Sequence, residues 1–309
     1  MQKYAIAIHG GAGTLLRGQM TSEKEKKYIN ALRESLRKGF QVLEEGKSAV
    51  DAVELAVKIL EDSPLFNAGK GSVFTATGDH EMDAAIMDGS NLEAGAVSLI
   101  SGIKNPVSLA RKVMEDSPHV FLAGSGAMKF AKEKNLERKD DTYFFDQFRY
   151  DQWQEVKGTT NVQLDHTTSK NSKFGTVGAV ACDKNGNIAA ATSTGGMTNK
   201  NYGRIGDSPL IGIGNYANNK TCAVSCTGNG EFFIRSVTAY DVSCLMEYKN
   251  LSLAEASNEV VMKKLVAIKG EGGLIAIDAQ GNISMPFNSD GMYRGFKNSE
   301  EENISIYED

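Results

Sequence analysis

Residues 176–182 and 188–194 are two short apolar runs divided by Asp183-Lys184-Asn185-Gly186-Asn187. This stretch constrains the fold more than any other. Each run is small or β-branched and bounded by turn residues, so the pair reads as a hairpin. The pattern recurs at 273–278 and 283–287 about Ala279-Gln280-Gly281-Asn282. It also appears at 81–87 and 94–100 about Asp88-Gly89-Ser90-Asn91. Hairpins pair antiparallel strands, which excludes an all-parallel doubly wound sheet as the framework. Antiparallel sheets covered by helices on both outer faces fit, giving class α+β.

Helical periodicity supplies the cover. Ser22-Glu23-Lys24-Glu25 reads as a capping box opening a helix to about Glu45, closed by Gly46. Ser48 starts a second helix to about Asp62, with Val50, Val53, Ala56, Val57 and Leu60 on one stripe, and Ser63-Pro64 stops it. Asn105-Pro106 opens another to about Glu115. Residues 120–123 read as a strand before Gly124-Ser125-Gly126, with a helix from about Ala127. A strand at 221–225 leads through Thr227-Gly228-Asn229-Gly230-Glu231 into one long helix to about Tyr248, and Ser252 caps the next. The acidic tail from Lys297 reads as loose.

The 309 residues suffice for one large domain, and a net charge of −5 gives no reason to expect nucleic acid or membrane as partner. Cys182, Cys222, Cys226 and Cys244 sit in apolar segments without a CxxC pair, which suits buried reduced thiols. Met1-Gln2-Lys3 enters an apolar strand of about five residues, too short for a signal or transmembrane segment. A cytoplasmic setting is therefore expected. That strand, 4–8, ends in His9-Gly10-Gly11-Ala12-Gly13, read as a tight turn packed near a site. It is not GxGxxG. It shares HGG with some esterase loops, but no GxSxG accompanies it. The glycines at 124–126 lack the third glycine of a dinucleotide fingerprint.

Upstream of the central hairpin, residues 157–173 are polar and nearly free of large apolar side chains. Such a segment cannot offset its ordering entropy, so a mobile linker over about 155–175 is expected to run into Gly175-Thr176. Cleavage there would give Thr176 a free α-amine beside its own hydroxyl. An α-amine of pKa about 7.7–8.0 is a workable base for a hydroxyl nucleophile. The same residues also read as an ordinary strand start after a turn glycine.

Three threonines, Thr176, Thr194 and Thr227, stand at strand ends beside glycine. Thr227-Gly228 precedes a helix, where amide N–H groups suit an oxyanion. Arg204 and Asp207 share one loop, the minimum pair for the carboxylate and ammonium of an amino acid. Asn67, in Phe66-Asn67-Ala68-Gly69, is either a turn asparagine or a polar group aimed into a pocket. Taken singly, capping threonines, a turn glycine and a loop salt bridge explain these positions equally well.

Taken together they resemble the isoaspartyl peptidase/L-asparaginase family of N-terminal-nucleophile (Ntn) hydrolases. The resemblance runs through IHGGAG, FNAG, MDAAIMDG, NPVSLA, GTVGAVA, TSTGGMTNK, GRIGDSPLIG, AVSCTGNGE and GMYRGF, nearly the whole chain. It implies a single domain folded as a four-layer αββα sandwich. The precursor would cleave itself at Gly175/Thr176 into α (1–175) and β (176–309) subunits that assemble as (αβ)2. Thr176 would attack asparagine or an isoaspartyl dipeptide. Thr194 would orient Thr176, Asn67 would hold its amine or hydroxyl, and Thr227 with Gly228 would form the oxyanion hole. Arg204 would bind the α-carboxylate, and Asp207 with Gly230 the ammonium. No catalytic cofactor is implied. A structural sodium would sit on backbone carbonyls of Leu60, Glu61, Ser63, Phe66, Ala68 and Lys70. Two alternatives stand beside this reading: a glycosylasparaginase-like amidase, which typically carries aspartate where Gly175 stands, and an uncleaved binding protein on the same scaffold.

Overall fold

The computed structural model describes residues 4–13, 15–18, 20–159 and 175–308. The chain begins with β1 (Ala5–Gly13), α1 (Ser22–Glu44) and α2 (Ala49–Glu61), then a 3-10 turn at Gly69–Gly71. β2 (Met82–Asp88) and β3 (Ala94–Ile100) follow, with α3 (Pro106–Asp116), β4 (Phe121–Ala123), α4 (Gly124–Glu133), α5 (Asp141–Phe144) and α6 (Gln147–Val156). The central hairpin is β5 (Val177–Cys182) and β6 (Ile188–Thr194). Beyond it come β7 (Asn215–Ala217), β8 (Cys222–Gly228), α7 (Gly230–Ser236), α8 (Thr238–Lys249) and α9 (Leu253–Asn258). The chain ends in β9 (Gly272–Asp278), β10 (Ile283–Ser284), β11 (Gly291–Asn298) and β12 (Glu302–Tyr307). The class is mixed α+β. The expected mobile linker falls largely on residues 160–174, outside those described.

Among the described residues the strands form two sheets, ordered β12-β11-β1-β5-β6-β2-β3-β4 and β10-β9-β8-β7. Pairing is antiparallel throughout, except that β3 and β4 run parallel. Strand alternation sorts the core. Ile6, Ile8, Ala179, Ala181, Ala189 and Ala191 join Leu32, Leu36, Phe40, Val53 and Val57 of α1 and α2. Ala5, Ala7, Val180, Cys182 and Ala190 face the other way and meet Ala223, Ile275 and Ile277 of the small sheet. Alanines on that face let the two sheets approach closely. Cys222, Val224, Cys226, Leu274 and Ala276 turn outward and pack under Phe233, Val242, Leu253 and Val261. Each fully buried Ile or Leu in these layers contributes roughly 2–3 kcal/mol. No described helix is long and apolar enough to cross a membrane.

Several local expectations change. The segment 9–13 is not a turn: β1 continues to Gly13, with a bulge between His9 and Gly11 opposite β11. The cap of α1 is Thr21, whose side chain accepts from Lys24 N, so Ser22 is already helical. Ser48 and Ser252 do form capping boxes, with Asp51 and Glu255. α4 starts at Gly124 instead of Ala127. The long helix expected to reach Tyr248 breaks at Val237, left-handed at φ 51. There the amides of Ala239 and Tyr240 bond the carbonyls of Ile213 and Gly212 instead of the preceding helical turn. The acidic tail is no loose end: β11 and β12 pair at the sheet edge. Glu302 takes both Arg37 and Lys297, and the Tyr307 hydroxyl donates to Glu25 of α1. All four cysteines are free thiols. Three are buried and Cys244 is half-buried.

Candidate active site

β5 and β6 pair with Val177 opposite Ser193, so Thr176, one residue further out, comes level with Thr194 at the end of β6. The Thr176 hydroxyl donates to the Thr194 hydroxyl at 3.1 Å. It also lies 3.3 Å from the Ser208 hydroxyl. Thr194 Oγ1 accepts from the amide of Gly196 at 3.0 Å, which fixes its rotamer. The described partners of the nucleophile candidate are thus hydroxyls, none of which is a base at neutral pH.

Behind Thr176 runs a buried polar chain. His9 Nδ1 lies 3.0 Å from the Thr176 carbonyl oxygen, and His9 Nε2 lies 2.9 Å from Ser225 Oγ. Ser225 Oγ meets Thr192 Oγ1 at 2.7 Å, which accepts from Asn215 Nδ2 at 3.0 Å. Burial drives the imidazole pKa down to about 3, against the Thr176 hydrogen bond, so the ring is neutral. A neutral ring donates from one nitrogen only. The carbonyl can only accept, so Nδ1 carries the proton and Nε2 accepts from Ser225.

The bulge in β1 carries Gly11 to the peptide ahead of Thr176. A side chain on Gly11, at φ +111, would begin 2.5 Å from Gly175 N. The two backbones can approach only because both positions are glycine. On the other side stands Thr227, near the end of β8 in the second sheet. Its hydroxyl is fully buried without a partner among the described residues and lies 3.1 Å from where a Gly175 side chain would begin. An orphan buried hydroxyl is costly unless something arrives to use it.

Asn67, Gly175, Thr176, Thr194, Arg204, Asp207, Ser208, Thr227 and Gly228 line one cleft. Asn67 is nearly inaccessible, and both ends of its amide are engaged: Nδ2 donates to the Gly196 carbonyl at 2.7 Å, and Oδ1 accepts from Val73 N at 3.1 Å. It braces the turn that carries Thr194. Asp207 is 4% exposed. Burial lifts its carboxyl to about 7 against the pull of Arg204, and its Oδ2 has no described partner. Arg204 makes a bidentate pair with Glu231, Nε and Nη2 each at 2.9 Å from a carboxylate oxygen. Gly230 sits between these charges rather than on the cleft wall.

The residues expected to act on substrate therefore converge from both sheets and the 204–208 loop. Leu60 and Glu61 close α2, and Ser63, Phe66, Ala68 and Lys70 follow in the segment that also carries Asn67. The carbonyl of Glu61 crowds Gly69, and those of Pro64 and Phe66 crowd Gly71. Four residues of the site escaped sequence reasoning. Ser208 and Ser225 carry no signal in the sequence, His9 reads there as part of a turn, and Glu231 reads as part of a helix start.

Comparison with known proteins identifies the family. A family model described as Asparaginase matches residues 2–306. The chain is 54% identical over 299 residues to the isoaspartyl peptidase of Salmonella typhimurium, covering 96% of each. It is 40% identical to the isoaspartyl peptidase/L-asparaginase of Xenopus laevis, covering 99% of this chain and 96% of that protein. It is 42% identical to the plant-type L-asparaginase of Pyrococcus abyssi, covering 94% and 95%.

Proposed function

The chain belongs to the asparaginase family, and from that premise we propose that it is a self-cleaving threonine hydrolase of β-aspartyl amide bonds. One observation carries the reading. The Thr176 hydroxyl is held by other hydroxyls in the cleft that also holds the orphan Thr227 hydroxyl, and among the described residues no titratable side chain is bonded to it. A base must come from elsewhere, and the Thr176 α-amine supplies it once the preceding peptide is cut.

In the first stage Thr176 Oγ1 attacks the Gly175 carbonyl carbon and its proton passes to the departing Thr176 nitrogen as the C–N bond breaks, giving an ester and the free amine. Water then hydrolyses the ester to a Gly175 carboxylate and a free Thr176. In the second stage the amine takes the hydroxyl proton as Oγ1 attacks the β-carbonyl of the substrate. The resulting oxyanion is met by Thr227 and the Gly228 amide. Ammonia or an amino acid leaves with the proton, and water releases aspartate from the β-aspartyl ester. Arg204 holds the α-carboxylate, while Asp207, with Gly230 alongside, receives the ammonium. Thr194 orients the nucleophile, and Asn67, lining the same cleft, acts on the Thr176 amine or hydroxyl through the turn it braces instead of by a direct bond from its engaged amide.

The glycine at 175 favours this over a glycosylasparaginase-like amidase. Two core layers flanking an inter-sheet layer support the αββα sandwich of the Ntn-hydrolases. Family membership is the ground for proposing one domain divided into 1–175 and 176–309, an (αβ)2 assembly and a cytoplasmic setting. The carbonyls of Glu61 and Phe66, two of the six proposed donors, crowd Gly69 and Gly71, and carbonyl oxygen is the donor type a hard cation takes, which supports proposing a structural sodium on the segment from Leu60 to Lys70.

The test is intact mass after incubation at neutral pH, with Thr176→Ala alongside. Two fragments dividing at Gly175/Thr176, absent in the variant, together with aspartate release from a β-aspartyl dipeptide, are expected. A parent chain that stays at 33.3 kDa would overturn the mechanism, because Thr176 would then have no free amine.

A further inference from the structure

We propose that Glu231 is a positioning residue that aims Arg204 at the substrate α-carboxylate and keeps it from collapsing onto Asp207. The inference rests on the function proposed above. A guanidinium has two edges that can grip a carboxylate, Nε/Nη2 and Nη1/Nη2. Glu231 takes the first, with both contacts at 2.9 Å. The second remains.

Its surroundings are specific. A side chain on Gly206 would begin 3.0 Å from Arg204 Nη1. One on Gly230 would begin 2.9 Å from Arg204 Nη2 and 2.8 Å from Asp207 Oδ1. Two opposite charges thus stand within about 6 Å across an absent side chain, where attraction is strong in a buried setting. Yet they form no ion pair, and Asp207 Oδ2 is without a described partner. A flexible arginine would close that gap on its own and consume both charges that a zwitterion needs. The bidentate Glu231 pair is the contact that holds it back. Glu231 is half-exposed, so it can do this without being a buried charge itself.

The experiment compares Glu231→Ala and Glu231→Gln with the parent, after confirming cleavage of all three by mass. Each is assayed on a β-aspartyl dipeptide and on the same dipeptide with its aspartyl α-carboxylate amidated. In Glu231→Ala, KM for the carboxylate substrate should rise ~10- to 100-fold with kcat within a few-fold. The preference for carboxylate over amide should shrink by a similar factor. The acid limb of the kcat/KM profile should move to lower pH as Arg204 pairs with Asp207. Glu231→Gln keeps one acceptor for Nε–H and should recover part of the KM. An unchanged or lowered KM in Glu231→Ala, or equal effects of Ala and Gln, would overturn the proposal. Failure of the parent to cleave itself or hydrolyse either dipeptide would instead overturn the function on which it rests.

Discussion

Replacing Asp207 by asparagine should stabilise the protein while disabling it, and the gain should depend on pH. The carboxyl is 4% exposed. Burial is the main cause of its rise to about 7, partly countered by Arg204. A free aspartate titrates near 3.9, so folding raises the value by about three units. At about 1.4 kcal/mol per unit, keeping Asp207 ionised costs the fold at most ~4 kcal/mol. The sign follows from proton uptake. Between pH 4 and 7 the folded state holds a proton that the unfolded state has lost. The stability from the raised value is therefore complete below about pH 4 and gone above about pH 7. At pH 5 the folded carboxyl is neutral and close in shape to asparagine, but the unfolded aspartate is already ionised, so only about 1.5 kcal/mol of the cost is present and the variant should melt only slightly higher. At pH 8 the variant should melt roughly 3–8 °C higher. Its kcat/KM for an α-amino substrate should fall at least ~100-fold, because the ammonium has lost its charged acceptor. The assay is paired thermal melts at pH 5 and pH 8. A melting difference of the same size at both, or none at pH 8, would refute the account of Asp207 as a buried group ionised against its surroundings.

Three further outcomes follow from local geometry. Gly11→Ala puts a methyl 2.5 Å from Gly175 N at a φ hostile to alanine, so self-cleavage followed by mass should slow more than ~10-fold. Val237→Asn relieves a β-branched residue at φ 51 that is 44% exposed, and urea denaturation should show it more stable by ~0.5–1 kcal/mol. His9→Gln breaks the chain behind Thr176 and should cost ~2–4 kcal/mol at neutral pH. Since the His9 value is depressed from 6.5 to about 3, its contribution is present above about pH 6.5 and lost as pH falls toward 3. Denaturation midpoints of the variant should therefore fall less steeply over that window than those of the parent.

Much of the sheet framework was legible because each hairpin announces itself by a turn flanked by apolar runs, as at Asp183–Asn187 and Ala279–Asn282. The strands that escaped are those lacking that contrast. Residues 9–13 are glycine-rich, and glycine argues locally for a turn, yet β5 and β11 on either side give β1 its backbone partners. In β12, polar and apolar residues alternate because it is an edge strand, half facing solvent, and its acidic composition hid anchors on α1 more than 260 residues away. The break at Val237 was invisible for a related reason. Nothing in Ser236-Val237-Thr238 opposes a helix; it is the carbonyls of Gly212 and Ile213 that claim the next amides.

The site divides along the same line. Thr176, Thr194 and Thr227 could be picked out because strand ends beside glycine are local features. The partners that set their state are contributed from afar. His9 meets Thr176 across 167 positions and Ser225 across 216, and Glu231 reaches Arg204 across 27. The consequence is clearest for Arg204 and Asp207. The sequence allows the two to be read as a loop salt bridge, since they stand three positions apart. In the fold they are neighbours that do not pair. Arg204 spends one guanidinium edge on Glu231, while Asp207 is left buried with one oxygen unmet among the described residues. A pair that neutralised itself would be more stable and would bind no zwitterion. Held apart, the two charges are a standing cost that the ammonium and carboxylate of an amino acid relieve together, so affinity for that ligand and instability without it arise from the same three side chains.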